Sequence, residues 1–392
     1  RRTNQNKRAA GAATTNAMEE SMSNIGAVQS LGGTGREEER FADRSSHTFL
    51  RERYALAVVI VVATIAGAAT GTAGIYVTIL ISDQIIEGTM SPGDFAVLFG
   101  VYKGIVEPAS FFGAMWIKLQ ETIAAVRRVF FFVDYESEED RPGTVDLGTI
   151  SDGVSIQGVD FEYPDGHRAL TNVDLELPMG ELVALVGPTG AGKTTLAYLI
   201  PSLVMPTAGR VLIDGKDLSE VDLDSLRQQV TYVFQEHLLL SESIRDNLLL
   251  ANPAASEAEM IAALETAGCM EFIDSKPDGI DSVLGRSGDT LSVGQQQSLS
   301  IARGLVRDAR ILILDEPTAA LDPRTEGQLV ESLRAAAQDR LVIVIAHRLS
   351  TIRRADRIVF LEEGEIRDVG NHEELMANPD SPYRTFVELQ SG

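Results

Sequence analysis

The chain has 392 residues and a formal net charge of −23. That length admits two or more domains, and the acidity disfavours a polyanionic partner such as nucleic acid. Its one cysteine, Cys269, excludes an intramolecular disulfide and any multi-cysteine metal centre. The chain opens on Arg1-Arg2, with neither a methionine nor an apolar signal region, and reads as the interior of a longer protein.

Residues 1–53 are polar and helix-prone. Met18, Met22, Ile25 and Val28 are spaced to share one helical face, and Gly32, Gly33 and Gly35 interrupt that helix before it resumes at Arg36. Residues 54–81 then run 28 positions without a charged side chain. As a helix they would measure about 42 Å, enough to cross a hydrocarbon core of about 30 Å with tilt. Gly67, Ala68, Ala69, Gly71, Ala73 and Gly74 suit close helix packing in lipid. A second candidate span, 95–117, carries Lys103, Glu107 and Pro108. Lys103 and Glu107, one turn apart, are either functional intramembrane charges or a mutually neutralised pair. Arg36, Arg40, Arg44, Arg51 and Arg53 precede the first span, and Lys118, Arg127 and Arg128 follow the second. The loop 82–94 has no lysine or arginine, so both ends of this hairpin are expected in the cytoplasm.

An acidic stretch, 134–153, reads as a linker to a soluble domain starting near Val154. Within that domain the apolar run 182–186 leads into Gly187-Pro188-Thr189-Gly190-Ala191-Gly192-Lys193-Thr194-Thr195 and then a helix opening. The spacing G-x-x-x-x-G-K-[ST] between a strand and a helix is a phosphate cradle. Glycines let backbone N–H groups converge on an anion, the helix dipole assists, and Lys193 adds charge. The Thr194 hydroxyl would ligate Mg²⁺. Upstream, Tyr163 ends a short alternating strand and is placed either to stack on a base or as an ordinary strand-end residue.

Further along, 311–314 is a β-branched and leucine strand ending in Asp315 and Glu316, 122 residues beyond Lys193. Such a strand delivers one acid to the metal, here Asp315, and a second, Glu316, to the attacking water. Ser292 sits at the N-cap of a helical run whose dipole would favour a phosphate in front of it. A third buried strand, 341–346, ends at His347, which would contact a γ-phosphate or serve a merely structural role.

Taken together, residues 154–392 resemble the nucleotide-binding domain of ATP-binding-cassette (ABC) transporters. The resemblance rests on the phosphate loop, Gln235 after Tyr232-Val233-Phe234, the pentapeptide Leu291-Ser292-Val293-Gly294-Gln295, Asp315-Glu316, Ala319-Ala320-Leu321-Asp322 and His347, all in family order. The first third is similar to the end of the membrane half of exporters with six helices before one such domain. The two spans would be the fifth and sixth helices, and residues 23–28 would lie near a coupling helix. The resemblance implies that four earlier helices are missing from the chain.

The implied fold is an α/β P-loop domain with a helical subdomain, preceded by an all-α membrane segment with two transmembrane helices. The implied divisions are 1–133, 134–153 and 154–392. The family would have Tyr163 stack on adenine, Lys193 and the loop bind phosphate, and Thr194 and Gln235 meet Mg²⁺ with Asp315 behind. Glu316 would be the catalytic base and His347 would stabilise the γ-phosphate. Ser292, Gly294 and Gln295 would close over ATP held by a second copy, with Asp322 bridging the dimer.

Several positions depart from the family pattern. Val293 replaces a usual glycine, Gln296 and Ser298 replace usually basic residues, Ala319 replaces a serine, and 285–288 lacks an acidic residue. The implied protein is an integral exporter subunit of the cell inner or plasma membrane. It would hydrolyse MgATP and pair with a second half-transporter, moving a lipid, drug, peptide or glycan. Two alternatives stand beside it, an ATP-gated regulatory half and a soluble ATPase of the superfamily.

Overall fold

A computed structural model describes residues 2–134, 143–285, 288, 290–318 and 321–391. The chain divides into two compact units, Arg1–Tyr135 and Glu136–Gly392.

The first unit is entirely helical among its described residues: α1 (Arg2–Ser23), α2 (Ile25–Ser30), α3 (Thr34–Ile86) and α4 (Pro92–Val133). The expected break is present at Gly32, left-handed at φ 65°, and Gly33, but α3 resumes at Thr34 and carries Gly35 within its first turn. Helix α1 folds back on the polar start of α3, where the Ser21 hydroxyl donates to Glu37 and Arg40 pairs with Glu20 at 3.0 Å. The apolar stretch continues α3 without interruption, and in this unit Val59, Ile60, Ile65 and Ile75 are exposed. Among the described residues α3 is the one helix long and apolar enough to cross a membrane.

The loop after it is shorter than the sequence reading of 82–94. Ser91 and Asp94 form a capping box with Pro92 in the first turn, so α4 begins at Pro92. Pro108 lies inside α4, which runs on to Val133. Gly74 lets the two helices approach: the Tyr102 hydroxyl donates to the Thr70 carbonyl at 2.5 Å, and a Cβ at Gly74 would lie 3.1 Å from that hydroxyl. Lys103 Nζ lies 6.0 Å from the centre of the Phe99 ring. The side chain of its expected partner, Glu107, lies outside the described residues.

The second unit holds ten strands among its described residues. In chain order its elements are β1 (Gly153–Glu162), β2 (Arg168–Pro178), β3 (Leu182–Val186), α5 (Lys193–Leu199), β4 (Ala208–Ile213), β5 (Lys216–Asp217), α6 (Leu223–Gln229) and β6 (Val230–Val233). There follow α7 (Ile244–Leu249), α8 (Glu257–Thr266), α9 (Met270–Asp274), α10 (Val293–Val306), β7 (Ile311–Asp315), α11 (Pro323–Ala336), β8 (Leu341–Ile345), α12 (Leu349–Ile352), β9 (Arg357–Glu362), β10 (Glu365–Gly370), α13 (His372–Ala377) and α14 (Pro382–Ser391).

One sheet has the order β10-β9-β3-β8-β7-β6, parallel except for β10, and the other is antiparallel with the order β2-β1-β4-β5. The central strands are continuous apolar runs because both of their faces are covered. Alternation sends Leu182, Ala184, Leu312, Leu314, Val342 and Val344 into a core shared with the helices. The intervening Val183, Leu185, Ile311, Ile313, Ile343 and Ile345 enter a core shared with α5 and the antiparallel sheet.

Part of the stretch read as linker belongs to this unit. Val145 bridges Val221 in parallel, Leu147 and Ile150 are buried, and Arg310 donates to the Ile150 carbonyl at 3.1 Å. The acidic residues 135–142 lie outside the described residues.

Candidate nucleotide site

The parallel strands β3, β6, β7 and β8 end on one edge, the usual place for ligands in open α/β sheets. Strand β3 leads into the glycine loop, whose turn requires left-handed backbone at Gly190 (φ 82°) and Gly192 (φ 96°). A Cβ at Gly192 would come within 2.5 Å of the Ala169 carbonyl, so a side chain cannot be accommodated there. Lys193 opens α5 and is buried at 7% exposure; its Nζ donates to the carbonyls of Gly187 at 2.8 Å and Pro188 at 2.9 Å. Burial lowers its pKa, while the nearby Glu316 and Asp315 act to raise it. An ammonium has three donors, so one is left for an anion in the loop.

Tyr163 closes one side of this cradle. Its hydroxyl is 2.9 Å from Thr195 Oγ1, and its ring lies nearly parallel to His167 and edge-on to Phe161. Tyr163, His167 and residues 190–195 line a single cleft.

On the opposite wall β7 delivers Asp315, which is buried, and Glu316 just past its end. Thr194 Oγ1 is 3.5 Å from Asp315 Oδ2, and the Tyr232 hydroxyl donates to the same oxygen at 2.8 Å. Burial pushes the Asp315 carboxyl above its ordinary value and the Glu316 charge adds to this, while the bonds from Tyr232 and Thr194 and the nearby His347 oppose it. Gln235 Nε2 donates to Glu316 Oε2 at 3.1 Å, and His347 Nε2 lies 3.2 Å from Glu316 Oε1. The structure therefore brings Lys193, Thr194, Gln235, Asp315, Glu316 and His347 together. The Thr194 hydroxyl, the Asp315 carboxylate and the Gln235 amide are the hard oxygen donors that fit Mg²⁺, which in such sites uses few protein ligands besides phosphate.

Other expected residues lie away from this cluster. Ser292 caps α10 in a reciprocal box with Gln295: the Ser292 N–H donates to Gln295 Oε1 at 2.9 Å, and the Gln295 N–H donates to Ser292 Oγ at 3.3 Å. Val293 follows at 61% exposure, with Gly294 next along the first turn. Asp322 caps α11, accepting from the N–H groups of Arg324 and Thr325 and from the Thr325 hydroxyl at 2.6 Å. Arg286, Ser287, Ala319 and Ala320 lie outside the described residues. Sequence reasoning missed Tyr232 and Gln297, whose Nε2 donates to the Glu316 carbonyl at 2.7 Å. The available signal for Gln297 was a polar residue one turn before Ile301 on a buried face of α10.

A strand–glycine loop–helix cradle with paired acids on a neighbouring parallel strand defines a P-loop nucleotide-binding domain. The chain matches the family model described as "ABC transporter" over residues 170–319. It is 34% identical over 394 residues to the ATP-dependent lipid A-core flippase of Photobacterium profundum, covering 100% of this chain and 67% of that protein. It is 41% identical to the protein of the same name in Syntrophus aciditrophicus, over 77% of this chain and 50% of the relative. To the Alpha-hemolysin translocation ATP-binding protein HlyB of Proteus vulgaris it is 38% identical, over 78% of this chain and 43% of the relative. The chain thus spans about half the length of the latter two relatives. It superposes over its full length on 69% of a bacterial Atm1-family ABC exporter with ATP bound, with a TM-score of 0.88 and 28% identity. The chain belongs to the ABC transporter family.

Proposed function

We propose that this chain is the membrane-hairpin and ATPase portion of an exporter subunit that binds and hydrolyses MgATP to drive transport. The observation that carries the reading is the convergence of Lys193, Thr194, Gln235, Asp315, Glu316 and His347 at one sheet edge. Lys193 and the loop N–H groups would hold the β- and γ-phosphates, and Tyr163 would stack on the adenine. Thr194 and Gln235, with Asp315 behind, would hold Mg²⁺, which neutralises phosphate charge. Glu316 would accept the proton of the attacking water, and Gln235 and His347, both bonded to it, fix its carboxylate. Catalysis then rests on positioning and charge stabilisation.

The capped N-terminus of α10, with Ser292, Gly294 and Gln295, would cover a nucleotide bound to a second half-transporter, beside Asp322 of that dimer interface. Helices α3 and α4 would cross the cell's inner or plasma membrane with both outer ends in the cytoplasm, where the ATPase domain lies. The relatives are named for lipid A-core flipping and hemolysin translocation, so a lipid or a polypeptide is a candidate cargo, alongside a drug or glycan.

The test is Glu316→Gln in the full protein that carries this chain. The substitution keeps the shape and removes the base, so ATP turnover should fall by about a hundredfold or more while ATP still binds. An unchanged rate would remove Glu316 from its role and favour the reading as a regulatory half.

A further inference from the structure

We propose that Gln297 is a positioning residue for Glu316, tying the catalytic carboxylate to the helix that presents the opposite face of the ATP sandwich. Glu316 has a left-handed backbone, with φ 48°. A residue with a Cβ holds that conformation only when its surroundings fix it. Two backbone bonds do so. The Glu316 N–H donates to the Ile345 carbonyl at 3.1 Å, and the Glu316 carbonyl accepts from Gln297 Nε2 at 2.7 Å. The first anchor belongs to the rigid sheet and the second to α10.

With both in place the carboxylate reaches Gln235 on one oxygen and His347 on the other. Rotation about φ of Glu316 would carry the side chain away from both partners. Gln297 is well placed to prevent this, because only 4% of it is exposed and water does not readily substitute for its amide. The departures from the family pattern on either side, Gln296 and Ser298, do not share the contact: Gln296 bonds the carbonyls of Gly288 and Leu291, and Ser298 is buried.

The same helix gives this bond a second consequence. Gln297 stands five residues, about 7.5 Å along the axis, beyond the capping Ser292, and two residues, about 3 Å, beyond Gln295. A shift of α10 when its N-terminus closes on a partner's nucleotide would be delivered to the carbonyl of this subunit's own Glu316. One side chain would then let occupancy of one composite site set the geometry of the general base in the other. The inference rests on Glu316 being the base and on the head-to-tail dimer.

The experiment uses Gln297→Leu in the full protein, with Gln297→Met as the second variant; both keep side-chain bulk and remove the donor. Amide exchange of the nucleotide-free protein should quicken by about fivefold or more at residues 314–318 and stay unchanged in β3 and β8. The kcat for ATP should fall about tenfold or more with KM within twofold of the parent. The Hill coefficient for ATP should approach 1 where the parent exceeds it. In a Glu316→Gln background, Gln297→Leu should cost little further activity. Exchange unchanged at 314–318, quickening spread through α10 and the sheet, or a fully additive loss in the Glu316→Gln background would each overturn the proposal. The exchange arm needs no turnover, so a failure of the general-base assignment shows separately, as a normal rate in Glu316→Gln alone.

Discussion

The Tyr232 hydroxyl donates a 2.8 Å hydrogen bond to Asp315 Oδ2, the oxygen that also faces Thr194. Asp315 is buried, and the Tyr232 bond is one of the contacts that oppose the upward shift burial imposes on its carboxyl. A hydrogen bond to a charged group contributes about 1.5–3 kcal/mol. Tyr232→Phe keeps the ring contacts to Tyr198 and Phe234 while deleting this one bond. The Mg²⁺ concentration needed for half-maximal ATP binding should rise about tenfold. Affinity for ATP in the presence of a chelator should stay near the parent value. An unchanged Mg²⁺ requirement would show that Asp315 orients itself without Tyr232.

Lys193 has a comparable test on the phosphate side. Its Nζ holds the two carbonyls of Gly187 and Pro188 and lies under the loop, largely out of solvent. Lys193→Ala removes the charge and also frees those carbonyls. ATP affinity should drop by about a hundredfold or more, the loss of a desolvated charge contact. Equilibrium binding of a fluorescent ATP analogue measures this directly, and retained affinity would refute the phosphate-cradle role.

Glu326 and Arg348 form a pair that fastens α11 to the turn after His347. Arg348 Nη1 donates to Glu326 Oε2 at 2.5 Å and to the Leu321 carbonyl at 3.1 Å, and Ser350 and Thr351 donate to the other Glu326 oxygen. Burial alone would raise the Glu326 pKa, but the bonds from Ser350, Arg348 and Thr351 outweigh it, and the carboxyl sits below its ordinary value. A depressed carboxyl contributes stability above its unfolded-state pKa, near 4.3, and loses that contribution as pH falls through the folded value. Glu326→Ala should therefore lower the Tm clearly at pH 7, by an amount corresponding to about 3 kcal/mol. The gap from the parent should narrow as the pH is taken below about 4. A gap independent of pH would mean that packing, and not the ion pair, carries the effect.

The sequence made the sheet and most of the site legible because both depend on local chemistry. Runs such as 182–186 and 341–345 are apolar at every position, which only a strand covered on both faces tolerates, and the glycine loop is dictated by backbone conformation at Gly190 and Gly192. Ser292 was readable as a cap from its place before a helical run. The contacts of Tyr232 and Gln297 were not readable, because each reaches across the fold to a residue 83 or 19 positions away. Residues 144–152, with their acidic, glycine-bearing surroundings, read as part of a linker, 134–153. Their packing depends on two isolated apolar residues, Leu147 and Ile150, too few to show a period. The extent of α4 was likewise hidden: apolar composition delimits a span at 95–117, whereas the structure carries one helix from Pro92 to Val133 through Lys103 and Pro108.

Cys269 supplies the last test, this time of the helical subdomain. It lies at the N-cap of α9, is 0% exposed, and shares the core with Leu264 and Phe272. Burial pushes the thiol well above its ordinary pKa. Since the thiolate is the reactive form, a neutral thiol without solvent access should not react. In the native protein Cys269 should not be labelled by a thiol-specific disulfide reagent at pH 8 over minutes, and should be fully labelled after addition of denaturant, as read by mass spectrometry of the peptide that carries it. The labelling rate of that peptide in intermediate denaturant then reports opening of the core between α8, α9 and α10. Full labelling under native conditions would show that this core opens readily, contradicting the packing of Cys269 against Leu264 and Phe272.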